Sequence, residues 1–401
     1  MPRSNLMIVQ GGGPTAVLNR TLAEIITEAQ HDPSFGSIYG ARYGVKGVIK
    51  REVLDLTGLT AGALDLLRKT PGAALGSSRH SPSDDELERM IETLRSLHIE
   101  RILFVGGNGT MRGASRLSDL CRAAGLDVQI VGVPKTVDND IAGTDRCPGY
   151  ASAARYMMQA TQELGADLRS LPQPVTILET MGRDVGWIAA AAALARDDAK
   201  NDGECPQLLY VPEVAFDTEQ FLAALERVVR EIGWVVVVVA EGLRKPDGSF
   251  VYQSTAGSQV DSLQRPMTGG VGQYLATVAS DRLGIRCRCE KPGLLGRASI
   301  AHVSQQDIRD SAAVGRAAVQ ALAAGARDVM VALRPLDKTN VADTTLVPLA
   351  EATAERSIPR NWLGPDKIPL REEFFEYLRP LVGTKDHHLR DLGAPISGIG
   401  E

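Results

Sequence analysis

VQIVGVPKTVDND (Val128–Asp140) decides the reading of this chain. Val128–Val133 is apolar but for Gln129, the composition of a strand buried on both faces of a parallel sheet. Chemistry follows at once, with Lys135, then Asp138 and Asp140 on either side of Asn139. In open α/β sheets, ligands sit beyond the carboxyl ends of the strands, where these side chains fall. Two nearby carboxylates suit Mg²⁺, a hard cation that seeks oxygen, and one of them could instead take the proton of an attacking hydroxyl. A lysine beside them can neutralise phosphoryl charge. An Asx-rich surface turn would need neither the lysine nor an apolar strand before it.

Moving outward, short apolar runs ending in glycine or a polar turn recur at Leu6–Val9, Ile102–Val105, Val175–Leu178, Leu208–Val211, Val235–Ala240 and Val329–Leu333. Helical patterns separate them. The clearest opens with a capping box, Ser83 and Glu86, and sets Leu87, Met90, Ile91, Leu94 and Leu97 on one face. The alternation predicts an α/β protein with right-handed βαβ crossovers. The Pro- and charge-rich stretch PLDKTNVADTT after Leu333 predicts an appended tail rather than a third core.

The 401 residues are enough for about two domains, and 44% hydrophobic with 23% charged residues is ordinary for a soluble globular protein. A net charge of −5 gives no global reason to bind nucleic acid or an anionic membrane, so an anionic ligand must meet a local cluster. The Cys residues at 121, 147, 205, 287 and 289 form no CxxC pair, and their odd number argues against a disulfide framework. The amino-terminal apolar core is too short for a signal peptide, and Val235–Ala240 is far short of a membrane span. A soluble protein of the reducing cytoplasm is the expectation.

Three other strand ends carry chemistry. Gln10-Gly11-Gly12-Gly13 lies between a strand and a helix, where glycine lets backbone N–H groups approach an anion beside the favourable helix N-terminus. Gly106-Gly107-Asn108-Gly109-Thr110 repeats that arrangement, and two such loops are less easily dismissed as tight turns than one. Glu179-Thr180-Met181-Gly182-Arg183 offers an arginine for a phosphate or sugar and a glycine for close backbone approach.

Taken together, GGNGT (106–110), PKTVDND (134–140) and MGRDVGW (181–187) resemble, in order and spacing, the signature motifs of the phosphofructokinase family. The likeness extends weakly from Met1 to about Leu333, and FFEYLRPLVG (374–383) looks like the tail of the pyrophosphate-using branch. The resemblance implies two Rossmann-like domains with mainly parallel sheets, helices on both faces and an active site in the cleft between them. Residues 1–150 with about 297–345 would bind the donor phosphates and Mg²⁺, residues 151–296 the sugar phosphate, and 346–401 would be a C-terminal extension. It implies Asp138 as the base for the sugar's 1-hydroxyl, and Asn108 and Asp140 at the Mg²⁺ site. Thr136, Met181, Gly182 and Arg183 would line the sugar-phosphate site, with Glu241 on sugar hydroxyls and Arg297 on the 6-phosphate. Arg288 matches an arginine that relatives contribute across a subunit interface, which implies a homodimer or homotetramer. Arg79 would bridge the transferring phosphoryl group, and Gly13 and Gly109 would sit at the donor phosphates.

Departures from the family pattern bear on the donor. Lys135 replaces the small residue of ATP-using members and favours pyrophosphate, because charge at the transferring group acts on the transition state. Gly109 is the ATP-type residue, where pyrophosphate users commonly carry aspartate, and Asn108 replaces the ATP users' aspartate, as in the pyrophosphate branch. Pro174 and Leu294 stand where many relatives have an arginine and a histidine for the sugar phosphate. The expectation is Mg²⁺-dependent transfer from pyrophosphate to fructose 6-phosphate. An ATP-dependent kinase and a non-catalytic sugar-phosphate-binding homologue are the alternatives.

Overall fold

A computed structural model describes residues 3–170, 174–196, 204–253, 269–337 and 339–384. Eleven strands are present among them: β1 (Ser4–Gln10), β2 (Phe35–Ala41), β3 (Val53–Asp55), β4 (Ile99–Gly106), β5 (Gln129–Pro134), β6 (Val175–Thr180), β7 (Leu208–Tyr210), β8 (Val235–Ala240), β9 (Cys287–Glu290), β10 (Val329–Leu333) and β11 (Thr344–Pro348). They form a seven-stranded sheet in the order β11-β10-β5-β4-β1-β2-β3 and a four-stranded sheet in the order β7-β8-β6-β9. Pairing is parallel throughout except at the two edges of the larger sheet, β2 with β3 and β10 with β11. The α/β class expected from the sequence is the observed one.

Every apolar run named above is a strand, and burial explains its composition. Along β1, Leu6 and Ile8 face one core while Met7 and Val9 face another; in β4, Leu103 and Val105 alternate with Ile102 and Phe104 in the same way. Both faces are covered by helices, so no position is left for a polar residue. The smaller sheet repeats this, with Val235, Val237 and Val239 of β8 on one side and Val236, Val238 and Ala240 on the other. Ser83 caps the helix Asp84–Ser96 with the reciprocal bonds of a capping box, and Leu87, Met90, Ile91 and Leu94 are buried beneath it. Strands β2, β3, β9 and β11 lack an apolar run, having incompletely buried positions; in β9 the exposed Arg288 and Glu290 alternate with partly buried Cys287 and Cys289.

Residues 346–384 do not stand apart as an extension. Strand β11 closes the edge of the larger sheet, and the helix Glu372–Val382 buries Phe374, Leu378, Leu381 and Val382 in the core that holds Trp187. Residues 385–401 of the expected extension lie outside the described residues. All five cysteines are free thiols. No helix of the described residues is long and apolar enough to cross a membrane.

Candidate active site

The loops after β1, β4 and β5 are tied to one another through their backbones. Gly11 N–H donates to Val105 O (2.9 Å), Lys135 N–H to Gly106 O (3.1 Å) and Gly12 N–H to Ser78 O (2.9 Å). Thr110 packs where the first two loops meet: a Cβ on Gly11 or Gly106 would lie 2.3 or 2.2 Å from its hydroxyl, so a side chain at either position would have to displace Thr110. Beneath them Lys135 is buried, and its ammonium donates to Gly11 O (2.7 Å) and Gly13 O (2.6 Å). Burial pushes its pKa down to about 7, Asp138 opposing and Arg79 and Arg297 adding to the depression. Both arginines flank Gly13, with guanidinium nitrogens 3.1 Å (Arg297) and 3.6 Å (Arg79) from where its Cβ would be. Arg79 also lines a cavity of about 390 Å³ with Tyr43, Lys46, Ser77, Ser78 and His80.

The carboxylates come next. Asp138 N–H donates to Thr136 Oγ1 (3.1 Å), and burial holds the Asp138 carboxyl above its usual range while Arg79, Lys135 and Arg297 pull it back. Asp140 is pushed up to about 7, by burial first and the Asp138 charge second. Asn108 Nδ2 donates to Asp140 O (3.0 Å) and Oδ2 (3.2 Å), which leaves Asn108 Oδ1 and Asp140 Oδ1 buried without a hydrogen-bond partner. Orphaned buried oxygens call for an explanation, and a pair of them fits a hard cation. Among the described residues no group of three or more His, Cys, Asp or Glu could hold a metal. Mg²⁺ would therefore draw its other ligands from phosphate and water, as it commonly does at phosphoryl-transfer sites.

The smaller sheet supplies the facing wall. After β6, Gly182 has φ +134° and a Cβ there would lie 2.6 Å from Val185 O; a Cβ on Gly242 would lie 1.7 Å from Arg183 O. The two loops thus pack backbone to backbone, with Gly242 N–H donating to Gly182 O (3.1 Å). Glu241 follows β8, its carboxyl raised by burial, lowered by Lys291 and raised by Asp138. Arg183 Nε lies 3.8 Å from Asp184, which also accepts from Arg244 (2.7 Å). The Asp184 charge is felt at both Asp138 and Asp140, so the strand ends of the two sheets face each other.

Gly13, Arg79, Lys135, Thr136, Asp138, Asp140, Asn108 and Arg297 are thus brought together, with Glu241 and the Gly182–Arg183 loop opposite. Gly109 opens on space, Arg112 Nη2 at 3.9 Å being what a Cβ there would meet. Met181 packs partly buried against the core that holds Trp187. Arg288 is not at this centre: it is exposed on edge strand β9, opposite Thr176, four residues before the end of β6. Pro174 precedes β6, at its far end, and Leu294 is exposed. Sequence reasoning left Glu179 and Lys291 unassigned. Glu179, 1% exposed, accepts the N–H groups of Gly270 and Gly272 and pairs with Lys291 (2.6 Å) beside Glu241. Its signal was its place at a strand end; Lys291 had none.

The model of the phosphofructokinase family matches residues 5–322. The chain belongs to the phosphofructokinase family. It is 36% identical over 392 residues, 95% of this chain and 92% of the relative, to a pyrophosphate–fructose 6-phosphate 1-phosphotransferase of Xanthomonas campestris. It is 32% identical over 380 residues, 94% of each, to a sulfofructose kinase of Alkalicoccus urumqiensis. A crystal structure of a pyrophosphate-dependent phosphofructokinase from Nitrosospira multiformis superposes with a TM-score of 0.85 at 31% identity, covering 98% of this chain and 95% of that one. In this phosphofructokinase fold the described site occupies the carboxyl ends of both sheets.

Proposed function

We propose that the chain moves a phosphoryl group from pyrophosphate to the 1-hydroxyl of fructose 6-phosphate, giving fructose 1,6-bisphosphate. The observation that carries this reading is the cationic seat at Gly13, where Lys135, Arg79 and Arg297 converge beside the Asp138 carboxyl. Phosphoryl transfer needs positioning and charge neutralisation more than covalent chemistry. Asp138 accepts the proton of the attacking hydroxyl, and its raised pKa brings it closer to the working pH that favours a general base. Arg79 and Arg297 neutralise phosphoryl oxygens, while Lys135 braces the glycine loop from below and adds positive charge there. Glu241 and the Met181–Arg183 loop hold the sugar phosphate on the opposite wall. Asn108 and Asp140 would hold Mg²⁺, which when bound supplies charge to the donor phosphates.

The relatives named above that use pyrophosphate support this donor. The space beside Gly109 and the cavity at Arg79 favour a second reading, an ATP-dependent kinase on the same framework. Initial rates with fructose 6-phosphate and Mg²⁺ separate the two: pyrophosphate should give a kcat/KM at least about 100-fold above that of ATP. A higher value with ATP overturns the donor assignment. The sulfofructose kinase relative makes the sulfonate analogue of the sugar the informative third arm; faster turnover of that acceptor overturns the sugar assignment and leaves the base in place.

A further inference from the structure

We infer that Tyr377, on the carboxyl-terminal helix, is a positioning residue for this reaction, acting through Asn139 on the two carboxylates that flank it. Asn139 is fully buried and holds φ +57°, a left-handed conformation that places Asp138 and Asp140 on either side of a sharp backbone turn. Its side chain is fixed at both ends: Nδ2 donates to Tyr377 Oη (2.9 Å), and Oδ1 accepts from Cys147 N–H (2.9 Å). Tyr377 Oη in turn donates to Asp145 O (2.9 Å), so one buried hydroxyl ties the start of the 138–145 loop to its end.

Residues from the same part of the chain hold the loop a second way. Arg356 N–H donates to Asp140 O (2.8 Å), Ala142 N–H to Ala354 O (3.2 Å), and Ile141 bridges Glu355. The Arg356 guanidinium lies 4.6 Å over the Trp187 ring and 5.5 Å from the Tyr377 ring centre. Trp187 is fully buried against Tyr377 (5.5 Å between rings) and Phe374 (6.0 Å). The base loop of the larger sheet is therefore seated on an aromatic cluster built by the smaller sheet's core and the last described helix. Tyr377→Phe keeps the ring and its packing but leaves Asn139 Nδ2 and Asp145 O without their partner, a defect placed directly under the two carboxylates.

The inference rests on the proposed phosphoryl transfer, so the test has one arm that does not use turnover. In the full-length chain, Tyr377→Phe should lower kcat at least tenfold with the fructose 6-phosphate KM within about threefold, because the displaced groups act on the transition state. Asn139→Ala should cost at least as much, and the double variant no more than Asn139→Ala alone, the non-additivity expected when one residue works through the other. Amide exchange over residues 136–148 should be faster in Tyr377→Phe than in the parent. A kcat within twofold of the parent, additive losses in the double variant, or unchanged exchange over 136–148 overturns the role. No turnover by the parent with either donor instead overturns the proposed function, and the exchange arm still decides whether Tyr377 holds the loop.

Discussion

Asp138 lies where burial, which raises its pKa, is opposed by Arg79, Lys135 and Arg297. Burial makes the carboxylate a stronger base, and the cations keep it from holding its proton too tightly. Asp138→Asn keeps the shape and removes the basicity. Its kcat should fall by about two to four orders of magnitude, with fructose 6-phosphate affinity by calorimetry changed less than about threefold. Near-parental turnover in the purified variant removes Asp138 from the role of base. Lys135 is instructive in a different way: the sequence placed an ammonium near the donor phosphates, and the structure shows it donating to the Gly11 and Gly13 carbonyls. Its ammonium holds the glycine loop directly.

Among the elements, the helix Tyr150–Ser170 depends on a cap from another part of the chain. Asp307, on the helix Gln305–Ala323, accepts from Gly149 N–H (3.0 Å), Ser152 N–H (2.7 Å) and the Ser152 hydroxyl. The cap also fixes Gly149, which bridges Thr136 in the base loop. Burial nevertheless pushes the Asp307 carboxyl up to about 6, the Ser152 and Gly149 hydrogen bonds opposing and Asp310 adding slightly. A raised carboxyl pKa means that the folded state binds the proton more tightly than the unfolded chain does. The stabilisation is full below the unfolded value of 3.8 and is lost as pH rises through about 6, up to about 3 kcal/mol. The Tm of the parent minus that of Asp307→Asn should therefore fall from pH 4 to pH 6.5. A difference that stays constant or grows over that range shows that the hydrogen bonds outweigh burial.

The whole molecule leaves one expected ligand unplaced. Arg288 and Pro174 lie toward the amino-terminal part of β6, away from the site that the carboxyl ends of this chain assemble. Among the described residues strand β9 is a sheet edge, and Leu294, Leu295 and Ile300, a few residues further along the chain, are exposed apolar side chains. A surface of this kind suits a second copy, which would carry Arg288 into the neighbour's sugar-phosphate pocket and make the working form a homodimer or homotetramer. Specific activity should then fall on dilution below the association constant, and Arg288→Ala should raise the sugar KM at least tenfold with little change in kcat. Light scattering that finds a fully active monomer excludes a shared site.

The sequence by itself determined the central strands and the candidate site residues at their ends. Strands buried on both faces are built from unbroken apolar runs, and polar side chains that stand directly after them fall at the ligand-facing ends, so position along the chain was enough to single out Asp138, Asp140, Asn108 and Arg183 as candidates. Edge strands β3, β9 and β11 carry no apolar run because an exposed edge tolerates charge and threonine, and β2 beside β3 is interrupted by glycine and serine. Tertiary structure alone decided what surrounds each group. Lys135 reaches carbonyls 122 and 124 residues away, Tyr377 reaches Asn139 across 238 residues, and Asp307 caps a helix more than 150 residues before it. Such partners share no spacing or periodicity with the groups they hold. They meet because two sheets and the last described helix pack on common cores, a consequence of the buried surface of the whole chain rather than of any local pattern.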